Sequence, residues 1–372
     1  MKRLIPLLLI VLPACQWSNS TSATPISTSY PPEYIPTTVA PTIKALASPT
    51  SEVIDIPTSG PPVETATFPI SSISPTATTL ATLAPYEQYT IDGLRKRTYG
   101  GGNVQVLEVM EEKDSFTRYL IRYPSDGLII YGFANVPKGE GPFPIIIVIH
   151  GYVNLADYQT LDYTTDAADR ITEAGYIVVH PNLRNYPPSD HGDNLFRVGT
   201  AVDVLNLIAL VKSEDLPAEL SATASVNQIG LWGHSLGGNT ILRVLAVSSD
   251  VKAAVLYASL SGDEFRNSAA LTNIIPGDPQ LQAELVTAPA LLQRISPSSY
   301  YEDITSPIQL YHGTSDATVP FSWALETCRL LKEAAVTVNC IYYTDEDHTF
   351  RSRVSDEFYG TLINFYKTYL SP

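Results

Sequence analysis

Residues 229–247 run Ile229-Gly230-Leu231-Trp232-Gly233-His234-Ser235-Leu236-Gly237-Gly238, then Asn239-Thr240-Ile241-Leu242-Arg243-Val244-Leu245-Ala246-Val247. A short apolar run gives way to a glycine-rich turn around Ser235, and the turn opens a helical stretch. That order of strand, turn and helix is the setting of a nucleophile elbow, Gly-x-Ser-x-Gly. The serine sits on a strained tip, so residues two before and two after it must be small for the backbones to pass. The helix N-terminus behind Ser235 also favours negative charge developing there.

Outward from this stretch the same texture repeats. Apolar runs at 145–149, 176–179, 253–257, 308–311 and 339–343 have the length and continuity of parallel strands buried on both faces. Between them, Val198, Ala201, Val202, Leu205 and Ile208 keep helical spacing, as do Ala324, Cys328, Leu331 and Ala335. Upstream, 116–123 and 128–136 read as two strands of a hairpin around Pro124-Ser125-Asp126-Gly127. Antiparallel strands feeding a βαβ series predict an α/β domain over 86–372, a mostly parallel twisted sheet with helices on both faces. Residues 261–301 are too many for a plain connection and contain helix-like pieces, so they are expected to form a small lid or cap insertion.

The chain of 372 residues is 44% hydrophobic and 16% charged, enough to bury a substantial core. Its 23 Lys+Arg stand against 38 Asp+Glu, a formal charge of −15, and no basic stripe is present. A nucleic-acid partner is therefore not expected. Residues 16–85 hold 25 Ser/Thr and 12 Pro with few charges, a composition that predicts an extended, unstructured stalk. Ahead of it, Lys2 and Arg3 precede an apolar run over 4–12 that is too short to span a bilayer and has the form of an export signal.

A serine hydroxyl is a poor nucleophile at neutral pH, so a neutral imidazole must take its proton and a carboxylate must orient that imidazole. Of the six histidines, His348 lies just beyond the last expected strand, in Asp345-Glu346-Asp347-His348-Thr349-Phe350. The order Ser, acid, His then places the acid after the preceding strand, where Asp316 follows Tyr311-His312-Gly313-Thr314-Ser315. Three alternatives stand beside this reading. Asp316 is in place to cap the helix starting near Phe321, Asp345 or Asp347 is close enough to be the acid, and His348 by itself is compatible with a surface role. His234 is expected to pack or hydrogen-bond at the elbow, and His180, His191 and His312 to be structural or loop residues. Asp190, His191 and Asp193 form a close triplet with no distant partner, too little for a metal site. Two backbone amides are candidates for an oxyanion hole: that of Leu236, next after the nucleophile, and that of Tyr152, after the turn at Gly151.

Taken together, Ile149-His150-Gly151, the elbow, His312-Gly313-Thr314-Ser315-Asp316 and Asp347-His348-Thr349-Phe350 resemble the α/β-hydrolase superfamily over roughly residues 118–372. Within it the chain is most similar to the catalytic domain of the prolyl oligopeptidase family of serine peptidases, with dienelactone-hydrolase-like esterases next. The resemblance implies Ser235 as nucleophile, Asp316 as acid and His348 as base. It also implies cleavage of a small ester or peptide through an acyl-enzyme, with no cofactor. Members of the peptidase family usually carry an N-terminal β-propeller, which residues 16–85 cannot build. A binding lipoprotein that kept the fold without catalysis is the reading from a different class.

Leu12-Pro13-Ala14-Cys15 resembles a bacterial lipobox, which implies lipidation of Cys15 and anchoring of an exported chain to a membrane by lipid alone. That leaves Cys328 and Cys340, one on an expected helix and one on the strand after it, as a candidate disulfide in an oxidising compartment.

Overall fold

A computed structural model describes residues 84–213 and 216–370. The export signal, Cys15 and all but the last two residues of the expected stalk lie outside the described residues. Among the described residues the strands are β1 (Gln105–Glu112), β2 (Phe116–Ser125), β3 (Leu128–Pro137), β4 (Phe143–Ile149), β5 (Ile177–Pro181), β6 (Ala224–His234), β7 (Ala253–Tyr257), β8 (Ile308–Gly313) and β9 (Val338–Tyr343). They form one sheet in the order β1-β2-β3-β5-β4-β6-β7-β8-β9. The pairings β1 with β2, β2 with β3 and β3 with β5 are antiparallel, and every pairing from β5 to β9 is parallel. This is the mostly parallel α/β architecture read from the sequence.

The helices, in chain order, are α1 (Ile91–Arg95), α2 (Thr165–Glu173), α3 (Val198–Lys212), α4 (Ala218–Ser221), α5 (Leu236–Val247), α6 (Glu264–Ile274), α7 (Pro279–Leu285), α8 (Pro289–Ile295), α9 (Phe321–Glu333) and α10 (Ser352–Tyr369). Strand periodicity splits their packing between the two faces. On β4, Ile145, Ile147 and Ile149 join the core under α3, α5 and α9, while Ile146 and Val148 point into a second core with α2 and α10. Both cores are apolar because each face of a parallel strand is covered by helix, which is why these strands read as unbroken apolar runs. No described helix is long and apolar enough to cross a membrane.

Two local features differ in extent from the sequence reading. Strand β1 is not signalled in the sequence: it is an edge strand carrying Glu108, Glu111 and Glu112, with Leu107 and Val109 exposed. Both register shifts in its pairing with β2 fall where regular alternation would otherwise mark a strand. The hairpin strands also run closer together than read, leaving Asp126 and Gly127, both at positive φ, as a two-residue turn.

The stretch between β7 and β8 holds α6, α7, α8 and a 3₁₀ turn, Pro297–Asp303. It is attached to the body by an apolar cluster, in which Leu291, Leu292 and Ile295 meet Phe196, Val198 and Val202, and by buried ion pairs. Arg197 bonds Glu264 at 2.7 Å and Glu284 at 2.8 Å, Arg243 bonds Glu264 at 2.5 Å, and Ser268 donates to Glu284 at 2.6 Å. Burial opposes the charge on Glu264, but Arg243 and Arg197 outweigh it and hold the carboxyl below its ordinary range.

Candidate active site

Strand β6 delivers Ser235 to the carboxyl end of the sheet, where α5 begins. The residue sits at φ 56°, ψ −116°, a conformation strained for any side chain larger than glycine's. Four backbone bonds hold it there: its N–H donates to Tyr257 O at 2.9 Å, and its carbonyl accepts from Gly238 at 3.0 Å, Leu260 at 3.1 Å and Asn239 at 3.4 Å. The glycines around it leave no room for substitution. A Cβ on Gly237 would stand 2.1 Å from the Ile149 carbonyl oxygen, and one on Gly233 2.5 Å from the Gly237 backbone.

Asp316 stands on the loop after β8 and His348 on the loop after β9. Their side chains meet, with His348 Nδ1 2.8 Å from Asp316 Oδ2. The other carboxylate oxygen accepts from the Thr318 and Val319 amides, each at 2.8 Å. The residue that caps α9 is Pro320, so this carboxylate closes a turn on its own loop and does not cap that helix. His312 adds a third contact, its Nε2 3.2 Å from Asp316 Oδ2. Burial would raise the Asp316 carboxyl, yet the bonds from His312, His348 and the Val319 amide hold it far below the usual carboxylate range. The Asp316 carboxyl is therefore ionised at neutral pH.

The two loops are bound to each other as well. Thr314 N–H donates to Tyr343 O and Ser315 N–H to Glu346 O, both at 3.0 Å, and a Cβ on Gly313 would lie 2.2 Å from Glu346 O. Asp347 accepts from its neighbour His348 N–H and from Ala317 N–H at 3.2 Å, so it braces the loop.

Strand β4 ends at Ile149. The His150 ring then turns inward between the carbonyls of Gly151 and Asn182, and Gly151 lies against Ser235: a Cβ there would be 3.0 Å from Ser235 Cβ. Among the described residues, the N–H groups of Tyr152 and Leu236 donate to no protein acceptor. His234 is buried, with Nε2 2.9 Å from the His348 carbonyl oxygen and Nδ1 3.2 Å from Tyr163 Oη. Of the remaining candidates, Asp190 accepts from Ile129 N–H at 2.7 Å and Asp193 from Leu195 N–H at 3.3 Å. His180 is buried beside Thr164, Nε2 to Oγ1 2.7 Å.

Beside the Asp316 loop, a groove of about 880 Å³ opens between α6 and the start of α9, lined by Phe265, Ala269, Ile274, Thr318 and Trp323 among others. Trp323 packs on Leu236, Leu260 and Val319, so the groove adjoins the elbow. Sequence reasoning missed Tyr163, which stands alone before α2 with no motif around it, and the charges of Arg197, Arg243, Glu264 and Glu284, which lie far apart in the chain. It also left His312 as a structural or loop residue. The signal available there was its place four residues before Asp316 at the end of a strand.

Comparison with known proteins places this geometry. The uncharacterized peptidase YuxL of Bacillus subtilis is 22% identical over 271 residues, 71% of this chain and 40% of its own. Dipeptidyl peptidase 4 of Sus scrofa is 28% identical over 144 residues, 38% of this chain and 18% of its own. The chain thus spans well under half the length of these curated relatives. Acetyl xylan esterase 1 of Thermoanaerobacterium superposes with a TM-score of 0.53 at 16% identity, over 76% of this chain and 93% of the esterase, a likeness of fold. The model of the prolyl oligopeptidase family matches residues 167–372, more than half of the chain, and the protein therefore belongs to that family of serine hydrolases in the α/β-hydrolase superfamily.

Proposed function

We propose that the protein cleaves a small ester or a short peptide through an acyl-enzyme, with Ser235 as nucleophile, His348 as general base and Asp316 as its orienting carboxylate. The observation that carries the reading is the 2.8 Å contact between His348 Nδ1 and Asp316, on loops adjoining a serine held at positive φ. The carboxylate keeps the proton of His348 on Nδ1, which leaves Nε2 bare to take the serine proton. Ser235 Oγ then bonds to the substrate carbonyl carbon, and the amides of Leu236 and Tyr152 stabilise the oxyanion. Collapse expels the alcohol or amine, which leaves with the proton held by His348. Water, deprotonated by the same imidazole, releases the acid and restores Ser235.

The groove between α6 and α9 is the substrate's binding face in this reading. Phe265, Ile274 and Trp323 in its lining suit an apolar acyl or side-chain group, with Asp263, Arg266 and Asn273 at hand for polar contacts. The exported setting is part of the same proposal: Lys2, Arg3, the apolar run and Cys15 supply the signal and the lipid anchor. The Cys328–Cys340 disulfide supports an oxidising compartment.

Labelling by a fluorophosphonate, lost in Ser235→Ala, tests the nucleophile. A folded wild-type protein that takes no label and turns over no p-nitrophenyl ester would refute the reading and favour a binding protein. Rates on aminoacyl-p-nitroanilides set against short acyl esters separate peptidase from esterase. Incorporation of labelled palmitate that survives Cys15→Ala would remove the anchor.

A further inference from the structure

Three hydrogen bonds in series join the loop after β4 to the loop after β9. Gly151 N–H lies 2.6 Å from Tyr163 Oη, Tyr163 Oη 3.2 Å from His234 Nδ1, and His234 Nε2 2.9 Å from the His348 carbonyl oxygen. Each proton in the series is assigned by chemistry. A carbonyl oxygen only accepts, so His234 Nε2 carries hydrogen. Burial, with His348 beside it, lowers His234 to about 3, so the ring is neutral and Nδ1 is bare. The Tyr163 hydroxyl, which burial keeps protonated, donates to Nδ1, and its oxygen accepts from Gly151. The His234 ring is further wedged between those of Tyr257 and His348, with centroids 4.6 Å away on each side. The loop tied at one end precedes the Tyr152 amide and touches Ser235; the backbone tied at the other belongs to His348 itself.

We propose that Tyr163 and His234 are positioning residues for the reaction: in series they hold the oxyanion loop and the base in fixed register on either side of Ser235. The inference rests on the hydrolase reading above. Neither side chain exchanges a proton with substrate. Their work is alignment, and small errors of alignment are costly in the transition state while leaving ground-state binding nearly untouched.

The test is steady-state hydrolysis of a p-nitrophenyl ester by Tyr163→Phe, His234→Leu, the double variant and His234→Gln, with melting temperatures in parallel. Each single variant is expected to lose about tenfold in kcat with KM within about twofold of wild type. Because the links are in series, the double variant is expected to lose little more than either single one. His234→Gln, whose amide offers one donor and one acceptor, is expected to recover most of the rate. Unchanged kcat in Tyr163→Phe, or a double loss equal to the product of the singles, overturns the proposal. Tyr163→Phe removes a single oxygen from a partly exposed residue, so it decides the matter even if His234→Leu does not fold. Wild type that neither labels nor turns over refutes the hydrolase reading and this inference with it. Active wild type with unresponsive variants refutes this inference alone.

Discussion

Asp316 shows how one carboxylate is divided between two tasks: one oxygen fixes its own loop through the amides of Thr318 and Val319, and the other faces His348 and His312. Asp316→Asn keeps the shape but can present its amide N–H to His348, which favours the wrong tautomer. Its kcat is expected to fall roughly 10³–10⁴-fold with the fold intact, read by ester turnover beside circular dichroism. A second expectation concerns pH. His234 and His180, lowered by burial to about 3, are neutral in the fold, while in the unfolded chain they take up protons below ~6.5. The folded values are the depressed ones, so the stability they contribute is complete above pH ~6.5 and drains away as the pH falls toward 3. Thermal melts across that window should show the loss, and His234→Gln should lessen it. The positions of Ser235, Asp316 and His348 just after β6, β8 and β9 were legible because those strands read as short apolar runs. Tyr163 was not: a tyrosine before a helix has no local mark, and its partners Gly151 and His234 come from other strands.

At the scale of elements, the elbow is a packing problem solved by glycine. Gly237→Ala would drive a methyl to 2.1 Å from the Ile149 carbonyl, and the strand beneath is too tightly held to yield. A loss of about 1–3 kcal/mol is expected by urea titration, with activity falling further because the same strand leads to the oxyanion loop. The parallel strands were readable in sequence because burial on both faces makes them uniformly apolar; β1 was not, since an edge strand must carry charge to resist pairing with other chains. The helical pieces between β7 and β8 were readable in the stretch's length and composition. Their ionic attachment was hidden because ion pairs between residues 197, 243, 264 and 284 leave no periodic trace. Glu284→Ala strands Arg197 without one of its two buried carboxylate partners and is expected to cost roughly 3–5 kcal/mol, measured by denaturant unfolding.

Over the whole molecule, two apolar cores on opposite faces of the sheet carry the stability, and Asp316 and His348 lie on neighbouring loops at the sheet's far end. The Cys328–Cys340 disulfide joins α9, which follows the Asp316 loop, to β9, which precedes the His348 loop. Replacing both cysteines by serine is expected to lower unfolding free energy by about 2–3 kcal/mol, the usual value for a short ring, with a matching fall in melting temperature. This covalent tie sets a practical rule for anyone preparing the enzyme. Material made where thiols stay reduced will share its topology with material made under oxidation, yet carry the loops of Asp316 and His348 on a slacker frame. The two batches should part company on prolonged warming, and a brief anneal with a glutathione couple should make them alike.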